Sequence, residues 1–65
     1  MTKKQLIIKY KEGKSMNRHT DITVIKCMDY LASMAARGEE PRSQSHKKLS
    51  YEQSLCWAFD MVFDK

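Results

Sequence analysis

Residues 51–63, placed on a helix, are apolar almost all the way round. Leu55, Ala58, Phe59 and Val62 recur at three- and four-residue steps and form one stripe, while Cys56, Trp57, Met61 and Phe63 spread over much of the remaining circumference. Glu52, Gln53, Ser54, Asp60 and, just beyond, Asp64 are the firmly polar positions. A helix of this kind needs cover on more than one side, and one amphipathic neighbour does not supply it. Some of Trp57, Phe59, Met61 and Phe63 are therefore expected to meet a second chain. Trp and other large aromatics are common anchors of protein interfaces, which adds weight to Trp57.

Length sharpens the problem. The chain has 65 residues, so one domain is the ceiling. A chain this short buries only roughly 60% of the surface that its unfolded form exposes. Such chains usually gain stability from a disulfide, a metal or a partner. With 42% hydrophobic and 31% charged residues the composition is globular and not disordered.

Two further segments read as helices. Ser50 followed by Gln53 makes a capping box for the carboxyl-terminal helix, with Glu52 in its first turn. A second helix is expected from about Asp21 to Arg37, with Thr20 or Asp21 as N-cap and Gly38 at the left-handed position beyond its end. Ile22, Ile25, Met28, Leu31, Ala32 and Ala35 form its apolar face, widened by Val24, Cys27 and Met34, and Thr23, Lys26, Asp29, Ser33 and Arg37 the wet one. Residues 38–49 carry one Pro, one Gly and two Ser, with no apolar residue before Leu49, and predict a solvated linker.

The first dozen residues admit two conformations. Thr2 and Gln5 match a capping box, and Gly13 could close a helix over Lys3 to Glu12. Against the helix, Lys3 and Lys4 oppose the dipole in the first turn. As a strand, Leu6, Ile8 and Tyr10 alternate with Ile7, Lys9 and Lys11, but a lone strand would have to pair with another copy. Helix is the favoured expectation. The strand alternative, followed by two helices, resembles the ribbon-helix-helix repressors. The long connection over residues 38–49 and the ten residues between strand and first helix depart from that family's pattern.

Charge is concentrated at the amino terminus. Residues 1–20 hold six basic side chains and one acid, for a balance of +5 within a whole-chain net charge of +4. Lys3, Lys4, Lys9, Lys11, Lys14 and Arg18 make a basic arm that could neutralise several phosphates, so nucleic-acid binding is the alternative function.

Chemistry beyond binding finds little support. Gly13 and Gly38 stand alone and form no phosphate loop. Asp60 and Asp64 fall one helical turn apart, yet terminal carboxylates are ordinarily solvated. His19, Thr20 and Asp21 are adjacent in sequence, which is not the geometry of a nucleophile set. Cys27, Cys56, His19 and His46 lack the paired spacing of a zinc site, and both cysteines fall in apolar helical patterns as small buried hydrophobes. Met28, Met34 and Met61 fall at helical core spacing. The longest apolar run, Leu55 to Phe59, is far short of the ~20 residues of a membrane span, and no secretory signal is apparent.

The expectation is thus an all-α domain of two or three short helices over residues 1–65, completed by homodimerisation. Its interface would draw on Leu55, Trp57, Phe59, Met61, Val62 and Phe63. It would act in the cytoplasm as a non-catalytic accessory or regulatory protein, binding itself and another protein. No cofactor, metal, catalytic residue or membrane is expected. The Met- and Lys-rich composition suits a small accessory product of a virus or plasmid.

Overall fold

A computed structural model describes residues 1–63 as three helices: α1, Lys3–Ser15; α2, Ile22–Ala36; and α3, Tyr51–Phe63. They pack as a small bundle with no strand among the described residues. An isolated antiparallel bridge joins Arg42 and Lys48 in the linker. Asp64, half of the carboxylate pair considered above, lies outside the described residues.

Each helix begins where its local chemistry directs. In α1 the capping box closes in both directions: Thr2 N–H donates to Gln5 Oε1 at 2.8 Å, and Gln5 N–H donates to Thr2 Oγ1 at 3.1 Å. Asp21 caps α2, its Oδ1 accepting from the N–H of Thr23 at 2.9 Å and of Val24 at 3.3 Å. Ser50 and Gln53 repeat the reciprocal box at the start of α3, at 3.0 and 3.2 Å. These bonds satisfy backbone donors that a helix start leaves unpaired.

The amino-terminal segment is helix and not strand, because the box nucleates it and no second strand exists among the described residues for it to pair with. The unfavourable charge of Lys3 in the first turn is met by Asp60 of α3, 2.7 Å from the ammonium.

The end of α1 differs from expectation. Gly13 does not close the helix but is buried inside it. The stop comes at Met16, and Asn17 takes the left-handed conformation with φ 54°. Arg18 N–H then donates to the Gly13 carbonyl at 2.8 Å and Asn17 N–H to that of Lys14 at 3.2 Å, the paired bonds of a Schellman stop. Asn tolerates that conformation better than other residues with a side chain, which frees Gly13 for another task. In α2 the same stop uses Gly38, with φ 75°, as its spacing predicts.

One core residue set draws on all three helices. Leu6 of α1, Val24 and Cys27 of α2, and Leu55 and Ala58 of α3 are all at 0% exposure. Ile7, Tyr10, Met28, Tyr30, Leu31, Trp57 and Phe59 pack around them, partly buried. α1 is the least embedded helix: Leu6 and Gly13 are its only buried residues. The linker is largely exposed, as expected, but not formless. Ser43 N–H donates to the Lys47 carbonyl at 3.0 Å, and Arg42 donates to the His46 carbonyl at 3.2 Å, folding residues 42–48 into a short hairpin.

Candidate interaction surface on the third helix

The six residues of α3 expected at an interface divide into three groups. Leu55 is wholly enclosed in the chain's own core. Trp57, Phe59 and Val62 are half-buried. Met61 and Phe63 remain exposed, at 55% and 39%. Trp57 and Met61 stand four residues apart on one flank, with the Trp57 ring 6.1 Å from that of Tyr30 in α2. Phe59 and Phe63 occupy the other flank, their rings 5.4 Å apart. The burying direction is set by Leu55 and Ala58, so side chains to either side reach the bundle only in part. Beyond Ala58 nothing from α1 or α2 fully encloses the helix.

Between α1, the linker hairpin and α3 lies a cleft of about 590 Å³. Ile7, Leu49, Cys56 and Trp57 give it an apolar floor, and Lys3, Arg42, Glu52 and Asp60 stand at its edge. The edge charges are paired already: Lys3 with Asp60 at 2.7 Å, Glu52 with Lys11 at 3.7 Å, and Arg42 with Glu40. Such exposed pairs contribute little to stability, about 0–1 kcal/mol each, but two of them lie between α1 and α3. Leu49 and Ile7 entered no expectation about this site. Their involvement depends on the path of the linker, which no periodicity encodes.

The thiols are quiet. Burial, with a smaller push from Cys56, raises the Cys27 thiol from 9.0 to about 11. Burial chiefly raises Cys56 as well. A neutral thiol is a poor nucleophile and a poor metal ligand. The unfolded chain ionises this thiol from about pH 9, whereas the folded chain holds its proton until about 11. The Cys27 contribution is therefore complete below pH 9 and disappears as pH rises through 11. Urea unfolding across that range should show a loss of about 2 kcal/mol. The loss should be smaller in Cys27→Ala. An equal loss in both proteins would place it elsewhere, Tyr51 being the next candidate because burial raises its hydroxyl too.

A second, smaller cleft of about 300 Å³ lies at the turn from α1 to α2, lined by Lys9, Glu12, Arg18, His19 and Asp21 among others. The His19 ring stacks on Tyr10, centroids 5.5 Å apart and planes 9° from parallel, and Tyr10 in turn meets Tyr51 at 5.5 Å. This aromatic row ties the turn to α1 and α3. His19 Nδ1 is buried without a hydrogen-bond partner. Asp21 Oδ1, further along the chain, is engaged as the α2 cap. Among the described residues, no three His, Cys, Asp or Glu side chains converge as a metal site would require.

The basic arm is distributed over α1 and the following turn. Lys3 and Lys11 meet acids of α3, and Lys9 meets Glu12 within α1 at 3.6 Å. Lys4, Lys14 and Arg18 form no ion pair with a described residue and are exposed. Of the methionines at core spacing, Met34 is buried, Met28 half-buried and Met61 exposed.

The fold and surface together define a three-helix bundle with an incompletely covered carboxyl-terminal helix. Compared with protein-family models, curated proteins and solved structures, the chain shows no significant match.

Proposed function

We propose that this chain is a small non-catalytic accessory or regulatory protein of the cytoplasm that works by protein–protein interaction, as a homodimer joined through the carboxyl-terminal part of α3. One observation carries the proposal: Met61 and Phe63 stay exposed, at 55% and 39%, beyond the last fully buried core residue of their helix. Trp57, half-buried one turn before Met61 on the same flank, is a suitable anchor because a partner can complete the burial of its ring. Two-fold pairing is the commonest way for one patch to cover itself. The small core adds a reason, since five fully buried side chains leave a bundle of this size dependent on further burial. No helix among the described residues is long and apolar enough to cross a membrane.

Sedimentation equilibrium at micromolar concentration tests the proposal. The expected mass is twice 7.6 kDa. Met61→Lys combined with Phe63→Lys is expected to return the protein to a single 7.6 kDa chain while the helical circular dichroism is retained, because neither side chain belongs to the core cluster. A wild-type monomer across the accessible range, or a dimer indifferent to both lysines, removes α3 as the interface.

A further inference from the structure

We infer that α1 is a duplex nucleic-acid-binding helix, with Lys4 and Lys11 on one flank and Lys9 on the other placed to meet the two phosphate backbones that border a major groove. Full burial along α1 is confined to Leu6 and Gly13, with Ile7 and Tyr10 half-buried, so most of the helix circumference is free. With 3.6 residues per turn, the ridge facing away from Leu6, Gly13 and the half-buried Ile7 and Tyr10 carries Ile8, Glu12 and Ser15, all exposed. Lys4 and Lys11 lie to one side of the ridge and Lys9 to the other. A 13-residue helix is about 20 Å long and fits a groove about 12 Å wide. Cations on both flanks match the two strands that such a groove presents.

Charge is segregated in the same sense. Residues 1–20 carry +5, and the remaining 45 residues sum to −1, which is +4 less +5. A polyanion approaching the bundle is thus drawn to α1 and its following turn, where Lys14 and Arg18 add positive charge that no described acid pairs. The pairs of Lys9 with Glu12, at 3.6 Å, and Lys11 with Glu52, at 3.7 Å, are long and exposed, so phosphate oxygens can displace them.

An anionic membrane fits less well. Ile8 and Met16 are the exposed apolar residues of the ridge region, separated by Glu12 and Ser15. Helices that lie on membranes present a continuous apolar face with bulky side chains. This function is independent of pairing through α3, because it uses the opposite end of the charge distribution and none of the α3 interface residues.

Fluorescence titration of a labelled duplex of about 20 base pairs at two salt concentrations tests it. Three phosphate contacts predict that affinity falls ~40-fold between about 50 and 200 mM salt. Lys4→Gln with Lys9→Gln should weaken binding at low salt and flatten the salt slope by about two contacts' worth. Lys47→Gln with Lys48→Gln removes the same charge from the linker and should leave the slope unchanged. Circular dichroism checks that both variants fold, and Lys4→Gln alone, at a residue with no ion pair, should flatten the slope by about one contact's worth. Salt-independent binding, no binding at low salt, equal loss from the linker variant, or equally tight binding to vesicles of anionic phospholipid each overturns the inference. None of those results alters the sedimentation outcome expected for α3.

Discussion

Leu55→Ala is expected to abolish the cooperative thermal transition of this protein. Leu55 is at 0% exposure and belongs to a core cluster whose other fully buried members are Leu6, Val24, Cys27 and Ala58. It is the one large side chain that α3 contributes to that cluster, so its removal leaves α1 and α2 facing a void. Leu→Ala changes at such positions cost about 3–5 kcal/mol, part from lost burial and part from the cavity. A single core in a chain this short rarely supplies more than about 3–5 kcal/mol in total. The loss therefore matches the whole. Circular dichroism melts would show a broad, non-cooperative decline in place of a transition. A sharp transition with a midpoint close to wild type would mean that the bundle closes around the gap, or that a second chain supplies most of the stability.

Gly13→Ala is expected to destabilise although alanine is ordinarily the better helix residue by about 1 kcal/mol. A Cβ at Gly13 would fall 2.4 Å from His19 Nδ1 and 3.0 Å from both His19 Cε1 and the Arg18 carbonyl oxygen. The imidazole cannot swing aside without losing its stack on Tyr10, and the carbonyl belongs to the turn that stops the helix. Forcing an extra methyl into a packed contact costs about 1–3 kcal/mol, so the clash outweighs the helix gain. The double variant Gly13→Ala with His19→Ala relieves the main clash and should recover much of the loss relative to His19→Ala alone. Urea titrations of the four proteins give the coupling directly. If Gly13→Ala melts at or above wild type, the ring does not rest against α1 as described.

These two positions also show how far local rules reach. Gly13 satisfies the sequence criteria for a helix C-cap as well as Gly38 does, yet only Gly38, at φ 75°, serves as one. A residue six positions further along, His19, decides the matter by occupying the space where a Gly13 side chain would be. Likewise the apolar pattern of α3 announces that the helix is over-supplied with apolar residues. It does not say that Leu55 is enclosed while Met61 and Phe63 are left out, because that depends on where α1 and α2 end. The six cations of the basic arm are legible as a count, but the pairing of Lys3 and Lys11 follows from the acids that α3 brings alongside.

What the amino-acid sequence determined unaided was where the three helices start and where α2 stops, Thr2 with Gln5 serving α1 as Ser50 with Gln53 serves α3. Asp21, Gly38, and Ser50 with Gln53 bond to backbone within four residues of themselves, so no distant contact is needed to place them. The tertiary structure alone decided which residues of α3 are enclosed and which glycine makes room for a ring. Those outcomes rest on contacts outside any one helix, and their geometry exists only once the three helices have packed.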